Sequence, residues 1–209
     1  MKKKDWLIIM ILNLITFTLG LLPFLPGPDF MEFVNGIYFF IQIGAIFGLI
    51  FIPIGFFKII YPFFKKKLKR PLRLLPILYI TIPLTLITTS FWISDYARDF
   101  SRNFAIIQAE PIIKGLEKYK IENNEYPKTI NQITPKYLSK IPSDKIIGIN
   151  GFQYWKEGES FKIEFSQNVI LGFNFEIVQY SPIGNYNVEG ELIELYDTKQ
   201  PNWKYFIYD

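Results

Sequence analysis

Cysteine and histidine are both absent from the 209 residues of this chain. Without cysteine there can be no disulfide bond and no thiolate nucleophile, and without either residue there can be no Cys/His zinc site. Mechanisms that need an imidazole base are excluded for the same reason. A folded domain of this chain is therefore stabilised by packing alone, and any catalysis depends on Asp, Glu, Lys, Tyr or Ser.

Charge is distributed unevenly along the chain. Residues 1–94 hold 10 Lys and Arg against 3 acidic residues, a net charge of +7, whereas residues 95–209 hold 13 basic and 16 acidic residues, a net charge of −3. Most of the positive excess lies in short segments beside apolar runs. This position indicates attraction to anionic lipid headgroups rather than a nucleic-acid-binding face, so we expect no nucleic acid partner.

Three apolar runs predict three transmembrane helices, at about residues 6–25, 33–60 and 74–93. Each run approaches or exceeds the ~20 residues that cross the hydrocarbon layer. The first run follows three lysines and so also matches the start of a signal peptide. Cleavage sites need small residues, however, and the first alanine of the chain is Ala45. We therefore expect an uncleaved first helix.

A basic segment, residues 58–73, separates the second and third apolar runs. Short loops rich in Lys and Arg stay in the cytoplasm, so this segment predicts a cytoplasmic amino terminus. We expect a multi-pass protein of the bacterial inner (cytoplasmic) membrane, with a transmembrane region at 1–94 and an extracytoplasmic domain at 95–209. The seven basic residues are Lys58, Lys65, Lys66, Lys67, Lys69, Arg70 and Arg73.

The apolar runs contain few polar residues. No Asp, Glu, Lys or Arg falls at hydrocarbon depth, where Asn13 and Gln42 are the most polar side chains. Pumps and many transporters need buried ionisable groups, so the runs predict a membrane anchor or a subunit contact surface. Gly44 and Gly48 have the spacing of close helix–helix contacts. They predict either a dimer contact or packing against the other spans of the same chain, and we favour the second.

A compact pattern follows the third run, over about residues 97–166. A long helix is predicted to end near Asn123-Asn124. Its apolar residues recur at roughly helical spacing and predict a buried stripe of Phe100, Phe104, Ile107, Ile112, Leu116 and Tyr119. The residues that then carry the pattern are Tyr119, Tyr126, Pro127, Tyr137, Leu138, Ile141, Pro142 and Asp144. Their order and spacing resemble the pseudopilin domain of type II secretion systems and its relatives. The resemblance implies a pilin-like α+β fold, in which a long helix packs on a small antiparallel sheet, and it implies no catalytic activity.

Alternation of apolar and polar residues predicts the strands of this sheet. Residues 161–165 alternate as a half-buried strand should, and 157–159 form a hairpin turn before them. Residues 173–177 repeat the pattern, and 203–207 form the last strand. A second hairpin is predicted around Glu189-Gly190-Glu191. One sheet packed on one helix is the simplest architecture for these elements.

Two groups of side chains are candidates for binding. An acidic group suits calcium, although solvated strand faces explain it more simply; it comprises Glu189, Glu191, Glu194 and Asp197. An aromatic group suits contact with a sugar or a protein, or else forms core and cross-strand pairs, which we favour. Its members are Tyr154, Trp155, Tyr180, Tyr186, Tyr196, Trp203, Tyr205 and Tyr208, and the candidate contacts among them are Tyr154, Trp155, Tyr186, Trp203 and Tyr205.

The leading hypothesis is a non-catalytic integral membrane protein. Its pilin-like extracytoplasmic domain would bind another envelope protein or a second copy of the chain, with no cofactor and no metal site. The alternative is a membrane-anchored domain that recognises a glycan or a peptide with an aromatic sheet face. A carboxylate-based hydrolase is a third hypothesis, which needs two acidic side chains facing each other across a cleft.

Overall fold

The computed structural model describes residues 1–28, 31–64, 73–186, 188 and 194–208. It forms two compact units, one of Met1–Leu22 with Gly36–Tyr96 and one of Pro23–Asn35 with Ala97–Asp209. Residues 65–72, half of the predicted basic segment, lie outside the described residues, which include its ends, Lys58 and Arg73.

The first half of the chain is helical. Two of its helices are long and apolar enough to cross a membrane, Lys3–Phe24 and Leu74–Asn123, and a bent helix pair counts as a third candidate. Helices of this length and hydropathy indicate association with a membrane, as the sequence predicted. The helices are α1 (Lys3–Leu21), α2 (Met31–Gly48), α3 (Phe51–Phe64) and α4 (Leu74–Ile87), and a π-helical segment, Thr88–Ile93, follows α4.

The second apolar run is not one straight helix. It breaks at Leu49 and Ile50, and α2 and α3 differ in direction by 43°. Pro53 explains the break, because in a continuous helix its ring would clash with the carbonyl of Leu49. A new helix that begins at Phe51 places Pro53 in the first turn, where its missing N–H costs no hydrogen bond.

A polar contact joins α1 to α4 inside the first unit. The Asn13 amide nitrogen donates to Thr81 Oγ1 at 3.0 Å, and the Asn13 amide oxygen accepts from Thr85 Oγ1 at 2.7 Å. Polar side chains among apolar helices need partners of this kind, since lipid offers none. The contact therefore fixes which faces of α1 and α4 meet.

The two predicted contact glycines have different surroundings. A Cβ atom on Gly48 would lie 3.1 Å from the Cβ of Pro83 in α4, whereas one on Gly44 would meet nothing within 4 Å. Gly48 thus packs within its own chain. Whether Gly44 forms a dimer contact stays a prediction.

The second unit contains one long helix and one antiparallel sheet, so the predicted α+β class is confirmed for this part of the chain. Helix α5 (Ser94–Asn123) continues through Pro111 without ending, and a 3₁₀ turn covers Ile130–Ile133. The strands pair in the order β1-β2-β3-β5-β4. They are β1 (Gln153–Glu157), β2 (Ser160–Ile170), β3 (Asn174–Tyr180), β4 (Tyr196–Asp197) and β5 (Trp203–Tyr208).

The core of this unit lies between α5 and one face of the sheet. Small residues, Ala105 and Ala109, let the helix approach closely. The sequence pattern placed Phe100 and Ile107 in the buried stripe, but both are exposed. The main buried side chains are Ala105, Ala109, Ile112, Leu116, Phe161, Ile163, Phe165, Val178 and Trp203.

The segment between α1 and α2 is part of the second unit. Pro26 forms an antiparallel bridge with Ile146, with a 3.0 Å backbone hydrogen bond on each side. The Gly148 N–H donates to the Pro23 carbonyl at 2.8 Å. A Cβ atom on Gly148 would lie 2.6 Å from that carbonyl oxygen, so glycine is required there. No local pattern of residues predicted this contact.

Candidate functional site

The sheet has a face that points away from α5, and a hollow of about 520 Å³ lies on it. This volume falls within the roughly 300–1,000 Å³ of ligand-binding clefts. We call the hollow the outer groove. It is lined by Trp155, Lys156, Glu157, Lys162, Glu164, Ile177, Gln179, Phe206 and Tyr208.

An exposed aromatic side chain lies at each end of the outer groove. Trp155 on β1 is 43% exposed and Tyr208 on β5 is 44% exposed. Strand alternation turns both side chains away from the core, because their neighbours along each strand face α5. Exposed aromatic faces at both ends give the groove two flat apolar surfaces for a ligand.

The floor between these ends is polar and internally paired. Lys162 Nζ lies 2.9 Å from Glu157 Oε1, and the Gln179 amide donates to Glu164 Oε2 at 2.8 Å. Lys162 and Gln179 are both buried. The lining holds two lysines and two glutamates, so its formal charge is zero. Each of these carboxylates faces a donor, an arrangement that suits recognition of a polar, uncharged ligand.

Trp155 is the one member of the five predicted contact residues that lines the outer groove. Trp203 is buried in the core, where its ring packs at a tilt against Phe165 and Tyr180. Tyr154 is half-buried, and its hydroxyl donates to the Pro127 carbonyl at 2.6 Å. Burial raises the pKa of Tyr154 to about 12, so this hydroxyl stays protonated.

The other two predicted contact residues, Tyr205 and Tyr186, each have a basic side chain of the second unit against the ring. The Arg102 guanidinium lies 3.7 Å from the ring centroid of Tyr205, on the face of the sheet that packs on α5. Lys204 Nζ lies 5.8 Å from the ring of Tyr186. Core and cross-strand packing, the favoured interpretation of the aromatic group, thus describes Trp203 and Tyr205. Whether Trp155 contacts a ligand or a partner stays a prediction.

Seven groove residues belong to neither candidate group of the sequence analysis: Lys156, Glu157, Lys162, Glu164, Ile177, Gln179 and Phe206. The alternation of β2 already turned Lys162 and Glu164 away from the core. Alternation alone could not predict the strand order β2-β3-β5. That order places the outward-facing residues of these three strands on one surface. Only that order brings Gln179 and Phe206 next to them.

A buried ionic cluster ties α5 to the sheet. Glu176 of β3 is completely buried and accepts hydrogen bonds from Arg102 Nε at 2.6 Å and Arg98 Nε at 3.1 Å. The Gln167 amide donates to the same carboxylate at 2.7 Å. Burial opposes the charge of Arg102, but the hydrogen bond to Glu176 and the attraction of nearby negative groups, Glu176 above all, together outweigh it and raise the Arg102 pKa. Arg102 therefore stays protonated, and the cluster holds α5 against the sheet.

Residues of the pseudopilin-like pattern hold the connection between α5 and the sheet. Tyr126 is buried against Phe161, and its hydroxyl donates to Glu117 Oε1 at 3.0 Å. Asp144 Oδ1 accepts from the Ile146 N–H at 2.7 Å, which sets the loop that meets Pro26. The pattern residues in this connection and the adjoining end of α5 are Tyr119, Tyr126, Pro127, Tyr137, Leu138, Pro142 and Asp144. Membership of the pseudopilin family stays a prediction.

The acidic group is described only in part. Glu189 and Glu191, with the hairpin predicted around them, lie outside the described residues. Glu194 accepts from the Tyr196 hydroxyl at 2.9 Å, and Asp197 lies 3.2 Å from Lys204 Nζ. Within the described part of the chain, no three acidic side chains are placed to hold a metal ion.

Comparison with known proteins finds no matching family model, no matching curated protein and no matching solved structure. The function proposed below therefore rests on the residues and geometry of this chain.

Proposed function

We propose that this chain is a non-catalytic membrane protein whose α+β unit recognises another component of the bacterial cell envelope outside the cytoplasm. The apolar helices hold it in the inner membrane. The outer groove is the recognition surface, and the exposed pair of Trp155 and Tyr208 at its ends is the observation that carries the proposal.

The contact between Pro26 and Ile146 supports the three-span topology. A bridge between them requires the α1–α2 connection and the sheet unit to lie on the same side of the membrane. That condition is met if the bent pair α2–α3 crosses the membrane once and α4 crosses back. If the bent pair instead entered and left on one side, the connection and the unit would be on opposite sides. With the basic segment 58–73 in the cytoplasm, the shared side is extracytoplasmic.

The pairing of the groove carboxylates supports recognition rather than hydrolysis. A glycosidase-type mechanism needs one carboxyl group that holds a proton and another that is free to attack or to activate water. Glu157 is engaged by Lys162, and Glu164 is engaged by Gln179. Both carboxylates thus act as acceptors within the protein, which favours the non-catalytic proposal.

A photo-crosslinking amino acid in place of Trp155 is expected to capture an envelope component in living cells. The matched position is Tyr196, an exposed aromatic that stacks on Tyr205 and so belongs to the opposite face of the sheet. Crosslinked products are detected by their shift on denaturing gels and identified by mass spectrometry. A product at position 155 but not at 196 is expected. Absence of any product at 155, or equal products at both positions, would overturn the proposal.

A further inference from the structure

We infer that the ligand of the outer groove is a linear, uncharged oligosaccharide strand. This inference rests on the proposed function, because it assigns a ligand class to the same surface. The length of the groove, the hydrogen-bonding groups of its floor and its charge favour such a ligand.

The groove is long enough for a polymer. Trp155 pairs with Lys162 on β2, whereas Tyr208 pairs with Phe175, which pairs with Asn168 on β2. The two aromatic residues therefore differ by about six residues along the strands, roughly 20 Å, and by about three strand spacings across the sheet, roughly 14 Å. The diagonal between them is about 25 Å. A single sugar would reach one aromatic end, whereas a linear oligosaccharide reaches both.

The floor offers side chains but no free backbone. The residues in its middle, Glu164, Ile177 and Gln179, each lie between two paired strands, whereas β1 is an edge strand. A peptide that binds by adding a strand needs an unpaired sheet edge, which the middle of this face lacks. Sugar hydroxyls donate as well as accept, so they can donate to the half-buried Glu164 carboxylate. The C–H faces of sugar rings pack on Trp155 and Tyr208.

The charge of the groove selects a neutral strand. Both of its lysines are already paired: Lys162 lies 2.9 Å from Glu157 within the groove, and Lys156 lies 2.6 Å from Glu125 outside it. A polyanion would meet Glu157 and Glu164, and a polycation would meet Lys156 and Lys162. Either one would compete with the ion pair that forms the floor, whereas an uncharged strand leaves it intact.

The test is isothermal titration of the full-length protein in lipid nanodiscs with three neutral probes: cellohexaose, chitohexaose and maltohexaose. An extended, uncharged peptide serves as the competing ligand class. We expect at least one hexasaccharide to bind, and the Trp155→Ala and Tyr208→Ala variants to bind it at least about tenfold more weakly, because each removes one stacking surface. The Tyr196→Ala variant, altered on the opposite face, is expected to bind as the wild type does.

Three outcomes would overturn the inference. They are failure of all three hexasaccharides to bind the wild-type protein, undiminished binding by the Trp155→Ala/Tyr208→Ala double variant, and binding of the peptide in place of the sugars. The crosslinking experiment at position 155 separates the two proposals. If a protein is captured there and no oligosaccharide binds, the oligosaccharide inference is wrong, but the proposal that the outer groove is a recognition surface stands.

Discussion

Replacement of Glu176 by alanine is expected to destabilise the α+β unit by about 3–5 kcal/mol. The carboxylate is completely buried and accepts hydrogen bonds from Arg98, Arg102 and Gln167. Its removal leaves two guanidinium groups in a site with little access to water. The readout is hydrogen exchange of strands β2 and β3 in the full-length protein, measured by mass spectrometry. Exchange through opening of the unit is expected to accelerate more than about 100-fold.

Two further variants make this prediction specific. Glu110→Ala removes an exposed helix ion pair with Lys114 and is expected to change stability by less than about 1 kcal/mol. The triple variant Arg98→Met/Arg102→Leu/Glu176→Leu removes all three charges together, and is expected to recover most of the stability lost in Glu176→Ala, because no buried charge is left unpaired. If Glu176→Ala behaves like Glu110→Ala, the ionic cluster does not join helix to sheet as described.

Cysteines in place of Pro26 and Ile146 are expected to form a disulfide bond almost completely under mild oxidation. The bridge has its hydrogen bonds on either side rather than between the two residues, which is the closer type of antiparallel pair, about 4.5 Å between Cα atoms. That distance suits a disulfide. Because the natural chain has no cysteine, the two engineered thiols are the only ones present. Loss of both thiols is measured by labelling the denatured protein with a maleimide-linked polymer and reading the gel shift.

A third substitution tests whether this disulfide reports the described contact. Gly148→Val places side-chain atoms against the Pro23 carbonyl, and the overlap is expected to cost about 1–3 kcal/mol and to abolish most of the crosslinking. Gly36→Ala, where nothing lies within 4 Å of the added Cβ, should leave crosslinking unchanged. Equal crosslinking in the Gly148→Val variant would mean that the α1–α2 connection does not pack on this loop.

Much of the second unit could be predicted from local pattern alone. The alternation in residues 161–165 and 203–207 reports burial on one face of a strand, and the structure has strands at both places. The buried stripe of α5 was predicted less well. Ala105 and Ala109 carry little hydrophobic signal although they face the core, while the larger Phe100 and Ile107 are exposed. The pattern relied on large apolar side chains and therefore assigned part of the buried face of α5 to the wrong residues.

Contacts between distant segments could not be predicted, since they depend on pairing that a single sequence does not encode locally. Glu176 looks like one more polar residue in an alternating strand, and Arg98 and Arg102 look like solvated helix positions. The same holds for Pro26 and Ile146, whose bridge joins segments about 120 residues apart. The outer groove could be predicted in part. Trp155 was predicted as a contact residue, whereas the groove residues on β3 and β5 could be identified only from the strand order.

The most direct test of the account is the side of the membrane on which the α+β unit lies. A single cysteine replaces Ile183, which is highly exposed in the second unit, and in a separate variant replaces Lys67 in the basic segment. Cells with a permeabilised outer membrane are treated with a membrane-impermeant maleimide before and after lysis of the inner membrane. The account predicts labelling of Cys at position 183 in unlysed cells and of Cys at position 67 only after lysis. Labelling of position 67 before lysis, with position 183 protected, would contradict it.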